Sequence, residues 1–372
     1  MKKTFFSFLL SFGLVSVFAQ SKTENVVIVT LDGFRWQEVF GGADDSLINN
    51  PAFSFDTAGL KKKYWAGTAD ERRKKLLPFF WNTIAAEGQM HGNRHFNSKV
   101  NVKNRYWFSY PGYNEIFTGY PDTAVNSNDK NYNKNTTVLE FLNNQPDLNG
   151  KLAAFTSWDC FDAILNEPRS KLMVSSGIDN VKLNTPEFAL LNDMQQETLR
   201  PLGDDVRPDY LTYFMAKEYV RQYKPRVLYI AFDETDDYAH GGRYDYYLNT
   251  AHIEDKWIGD LWKMMQQMPE YKDKTSLLIL CDHGRGDKIK KQWTSHGSDI
   301  KGSDQIWLAA LGAGIDPKGE IKEEEQIYQA QLAQTIARLL GFTFKEPRQP
   351  IDNAIGKQLR KIDGARRLDL PP

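Results

Sequence analysis

The 372-residue chain is 41% hydrophobic and 26% charged, which excludes a disordered or low-complexity protein and leaves room for one large domain or two modest ones. Lys and Arg number 47 against 48 Asp and Glu, a formal net charge of −1, so the chain lacks the bulk cationic field that holds nucleic acid or an anionic membrane surface. Its two cysteines, Cys160 and Cys281, are too few for a disulfide framework.

From the N-terminus, Lys2 and Lys3, an apolar run over 5–18 and Ala19 before Gln20 form the charged, apolar and small-residue regions of a secretory signal. Residues 1–19 are therefore expected to be removed, and the run is short for a membrane span. Loss of the two lysines leaves 45 basic against 48 acidic residues, a net charge of −3. No later stretch of about 18 apolar residues follows, so the mature protein is expected without a membrane span, in the periplasm or secreted. A catalytic domain is expected over 20–348 and a solvated tail over 349–372.

Four short aliphatic runs, 26–31, 152–156, 227–232 and 276–281, each end in polar residues and predict buried strands. Helical patterns lie at 76–87, 137–143, 210–223, 248–268 and 326–340. Strand followed by helix, repeated, predicts an α/β fold with a mainly parallel sheet covered on both faces. Ligands of such sheets sit at the carboxyl ends of the strands. The irregular stretch 126–135 reads as a surface loop, while 49–75 and 166–209 read as insertions able to shape a cleft.

Metal-ligand residues gather where those strands end. The first runs into Asp32, the third leads to Asp236 and His240, the fourth to Asp282 and His283, and His296 follows. Three of the six histidines fall in this set. Asp236 and His240, four apart, share one face of a helix, and the carboxylate–imidazole mixture suits zinc, with manganese or iron also matching by ligand type. Ser109, ahead of Pro111-Gly112 and a helical stretch ending at Gly119, is the candidate nucleophile, since a nearby dication lowers the pKa of its hydroxyl. Arg285-Gly286-Asp287 spells an adhesion tripeptide, read here as coincidence beside a metal-binding turn.

Five segments in order, VVIVTLDGFR, FSYPGYNEIFTG, DDYAH, LLILCDHGRG and TSHGSD, resemble the alkaline phosphatase superfamily. The likeness is to its nucleotide pyrophosphatase/phosphodiesterase (type I phosphodiesterase) branch, with some to cofactor-independent phosphoglycerate mutase. That resemblance implies an alkaline-phosphatase-like fold with loop insertions and two zinc ions. One would be held by Asp236, His240 and His296, the other by Asp32, Asp282, His283 and the Ser109 oxygen. It also implies a small-molecule phosphate ester, diester or monoester, as substrate, attack by Ser109 to give a phosphoseryl enzyme, and release by water. Ser109-Tyr110-Pro111-Gly112-Tyr113 departs from the branch's Thr-Phe-Pro-Asn-His pattern, which moves the expected substrate contact to Asn114. Rival implications are a sulfatase or phosphomutase relative, and a non-catalytic, metal-dependent ligand-binding member. The sequence leaves the oligomeric state open.

Overall fold

The computed structural model describes residues 23–287, 290–356 and 359; the expected signal, 1–19, lies outside them. Strands β1 (Asn25–Leu31), β4 (Leu152–Thr156), β6 (Val227–Phe232) and β7 (Thr275–Leu280) match the four aliphatic runs, and every residue in them is buried. Burial on both faces is the reason these runs are continuously apolar rather than alternating. With β2 (Gly88–His91), β5 (Met173–Ser176), β9 (Leu308–Gly312) and β10 (Gly319–Glu320) they form an eight-stranded sheet in the order β10-β2-β9-β7-β1-β6-β4-β5. The central run β7-β1-β6-β4-β5 is parallel, and β9 runs antiparallel to both of its neighbours. A second sheet joins β3 (Ser98–Asn101), β8 (Gln305–Ile306) and β11 (Glu325–Tyr328).

Register decides what meets at the carboxyl edge. Thr30 of β1 pairs with Leu280 of β7, so the chain two residues on delivers Asp32 and Asp282 side by side. Leu31 pairs with Phe232 of β6, which brings the turn that starts the helix Glu234–His240 to the same place.

Several expected boundaries shift for identifiable reasons. The 76–87 helix is split: one helix ends at Leu76, and a π-helical turn at Phe80–Ile84 precedes Ala85–Glu87. Pro78 lies between and disfavours helix at the residue before it. The 248–268 helix runs instead over Tyr244–Met265, and its buried stripe includes Thr250, Glu254 and Asp255 while Ile253 is exposed, a polar content invisible to an apolar count. The expected helix over 326–340 begins as β11, with Ile327 buried between outward Gln326 and Tyr328, and turns helical only at Gln331–Leu339. The described residues beyond 348 are packed rather than solvated: Ile355 and Leu359 are buried, and Asp352 pairs with Lys103 at 2.7 Å. Among the described residues no helix is long and apolar enough to cross a membrane.

Candidate metal centre

The structure brings the six expected acidic and imidazole residues into two triads at the carboxyl edge of the sheet, Asp32–Asp282–His283 and Asp236–His240–His296. In the first, His283 Nε2 lies 3.3 Å from Asp32 Oδ1 and 3.5 Å from Asp282 Oδ2. In the second, His240 Nε2 is 3.1 Å from Asp236 Oδ2 and 2.9 Å from His296 Nε2. Asp236 stands between them, its Oδ1 3.6 Å from His283 Nε2 and 3.8 Å from His296 Nε2.

Each carboxylate is held by one oxygen. Tyr113 donates its hydroxyl to Asp32 Oδ2 at 2.7 Å, the Gly33 amide donates to Asp282 Oδ1 at 3.2 Å, and Arg285 Nη2 donates to Asp236 Oδ1. The opposite oxygens of Asp32 and Asp282 are buried without a hydrogen-bond partner among the described residues. Orphaned carboxylate oxygens are costly, and burial, with a neighbouring Asp in each case, pushes the Asp32 and Asp282 carboxyls well above the usual range. For Asp236 burial pulls upward but is outweighed chiefly by the Arg285 guanidinium, so its carboxyl is held well below that range.

The imidazoles are oriented the same way. His283 Nδ1 faces the Gly284 carbonyl at 2.9 Å and His296 Nδ1 faces the Trp107 carbonyl at 3.3 Å. A ring nitrogen against a carbonyl must donate, which turns the Nε2 lone pair of each ring towards the carboxylates. Burial and the nearby His283 push His296 down to about 2, keeping it in the neutral form that a metal requires. Free carboxylate oxygens beside the Nε2 atoms of oriented imidazoles fit a pair of dications.

Ser109 opens the helix Ser109–Thr118, and its hydroxyl lies 3.4 Å from His283 Nε2. Pro111 and Gly112 lie inside the first helical turn, where proline's missing amide costs nothing. A Cβ at Gly112 would sit 2.6 Å from the Asp282 carbonyl, so glycine lets the helix start press against that strand end. Two residues before Ser109, Trp107 takes φ 55, an uncommon conformation for a bulky residue. It presents to His296 the carbonyl that orients it.

No family model matches this chain, and no curated protein matches it. Solved structures do. The wild-type alkaline phosphatase PafA superposes with a TM-score of 0.60 at 12% identity, over 91% of this chain and 99% of that one. The chain has the fold of the alkaline phosphatase superfamily. A putative sulfatase from Bacteroides thetaiotaomicron (TM-score 0.58, 12% identity, 91% of this chain and 75% of that) shares it. So does the lipoteichoic acid synthase LtaP from Listeria monocytogenes (0.53, 13%, 89% and 74%).

On this superfamily fold Asn114 does not join the cluster. It is buried, its amide nitrogen donates to the Tyr120 carbonyl, and its oxygen accepts from Asn133 and Asn135. Five helical positions turn it about 140° away from Ser109, so the substrate-contact role expected of it is withdrawn. Tyr113, four positions on, shares the face of Ser109, and that spacing was the available signal. A cavity of about 350 Å³ beside Ser109 is lined by Asn128, Lys130, Trp158, Asp233 and Asp237 among others, none of which the sequence singled out. Asn128 and Lys130 come from the stretch read as a plain surface loop. Arg285 is 1% exposed, which rules out display of its tripeptide for adhesion.

Proposed function

We propose that the protein is an exported two-metal hydrolase of phosphoric esters with Ser109 as nucleophile. The observation that carries the reading is the three carboxylates, each held by one oxygen and leaving the other towards an imidazole, with a serine hydroxyl 3.4 Å from one of those rings. Asp32, Asp282 and His283 with Ser109 would hold one dication, and Asp236, His240 and His296 the other. Bound there, zinc supplies positive charge that draws in an anionic ester and stabilises the charge developing on its oxygens.

The chain's own groups do the rest. Ser109 Oγ loses its proton and attacks phosphorus, the phosphorus–alkoxy bond breaks, and the alcohol leaves with a proton. Water then cleaves the phosphoserine and returns a hydrogen to Oγ. The fixed start of the helix Ser109–Thr118 and the sheet register orient attacker and ligands without loop rearrangement.

Within this reading the diester is favoured. Among the described residues the cavity beside Ser109 has Lys130 as its one cationic lining residue, and Lys130 pairs with Asp159 at 3.1 Å and Asp162 at 3.3 Å. Little side-chain charge is left for the second negative charge of a monoester. The test is chelator-stripped protein assayed on paired aryl phosphate mono- and diesters with and without zinc. Zinc should restore turnover, faster on the diester, and Ser109→Ala should lower kcat by about 10³-fold or more while still binding metal. Full activity in Ser109→Ala sinks the nucleophile; turnover of aryl sulfates alone moves the reading to a sulfatase.

A further inference from the structure

The three carboxylates of the centre are not held alike. Asp32 and Asp282 are held by neutral donors, a tyrosine hydroxyl and a backbone amide, whereas Asp236 is held by a cation. Arg285 Nη2 donates to both the side-chain Oδ1 and, at 3.0 Å, the main-chain carbonyl of Asp236. Gripping both ends of one residue fixes its side-chain torsions, so Oδ2 is the oxygen turned to His240 at 3.1 Å. Oδ1, the oxygen the guanidinium occupies, is the one within 3.6 Å of His283 in the other triad.

Fold stability does not account for this arginine. Its Nε and Nη1 are buried with no hydrogen-bond partner among the described residues, and a buried charge with unsatisfied donors is a net cost. The surroundings are shaped to admit it: a Cβ on Gly33, which has φ +57, would lie 2.5 Å from Asp236 Oδ1 and 2.9 Å from Arg285 Nε.

We infer that Arg285 is a positioning residue that confines Asp236 to the Asp236–His240–His296 ion by occupying the oxygen that would otherwise reach the Asp32–Asp282–His283 site. The inference rests on the two-metal reading above. Removing the guanidinium frees Asp236 to swing, so the ion at its own triad loses affinity and the other does not.

Zinc titration of the chelator-stripped full chain tests this, using the parent, Arg285→Met, Arg285→Lys and His240→Ala. The parent is expected to take two ions. Arg285→Met should keep one at parental affinity and weaken the other about tenfold to a hundredfold, the usual effect of losing a partner that orients a ligand. Arg285→Lys, which keeps the charge and a donor, should recover part of that loss. Adding Arg285→Met to His240→Ala should leave the remaining ion unchanged. Two ions at parental affinity in Arg285→Met would overturn the inference, as would equal weakening of both in step with a lower melting temperature. If Arg285→Met does not fold, Arg285→Lys alone carries the comparison. A parent that takes up no zinc would overturn the two-metal reading and this with it, whereas two ions in the parent without ester turnover would overturn only the hydrolase.

Discussion

The two triads differ in how they are built. Asp32, Asp282 and His283 are buried to 1% exposure or less and hang from the ends of adjacent strands β1 and β7, so sheet register alone brings them together. Asp236, His240 and His296 come from a two-turn helix and a distant loop, with side-chain exposures of 14%, 46% and 12%. A site made from strand ends is as rigid as the sheet. One made from a helix and a loop depends on local props such as Arg285 and the Trp107 carbonyl, and opens to solvent.

Breaking the inner triad should have the largest effect. Asp282→Asn is expected to lower turnover by about 10³-fold, with no rescue by excess zinc. Without metal, the same variant should be more stable than the parent by on the order of 1–3 kcal/mol, because it removes a buried carboxyl that desolvation and the neighbouring Asp32 both disfavour in its charged form. Unchanged or lower stability of the variant in denaturant melts would show that the site is not strained.

Breaking the outer triad should be milder and reversible. His240→Ala is expected to weaken one zinc at least tenfold to a hundredfold, and millimolar zinc should restore most turnover; activity lost regardless of zinc would erase the contrast between the triads. Tyr113→Phe, which removes the 2.7 Å hydrogen bond to Asp32, should weaken the inner zinc by about tenfold and leave the outer one alone, as competition with a chromophoric chelator would report.

The smallest effect lies away from both triads. Asp255 accepts from the amides of Phe79 and Phe80 at 2.8 and 3.0 Å, and burial nevertheless pushes its carboxyl up to about 7. In the unfolded chain it titrates near about 3.9. Between those values the folded chain holds a proton the unfolded one has released, so this stabilisation is complete below pH ~4 and is lost as pH rises through 7. Asp255→Asn should flatten that slope in melts from pH 4 to 8; an unchanged slope would assign it elsewhere.

Strand identities were legible because continuous aliphatic runs have one stable home, the middle of a covered sheet. The convergence of the six acidic and imidazole side chains was legible too, because Asp32, Asp282 and His283 directly follow those runs, and the Asp236–His240 spacing matches a helical turn. Asn114 was not legible as a structural residue, because its place on the helix turns it from Ser109 towards Asn133 and Asn135, which lie 19 and 21 residues on. The role of Arg285 was not legible, because its burial and its partner 49 residues away are long-range facts.

Residue type and order along the chain thus determined which groups are available for chemistry and which strands carry them to one edge, since those follow from hydrophobic burial and short-range geometry. Only the tertiary structure decided which oxygen of each carboxylate is held and which is left open. That choice belongs to single hydrogen bonds between strand ends, a helix start and a buried guanidinium, and no local pattern encodes them.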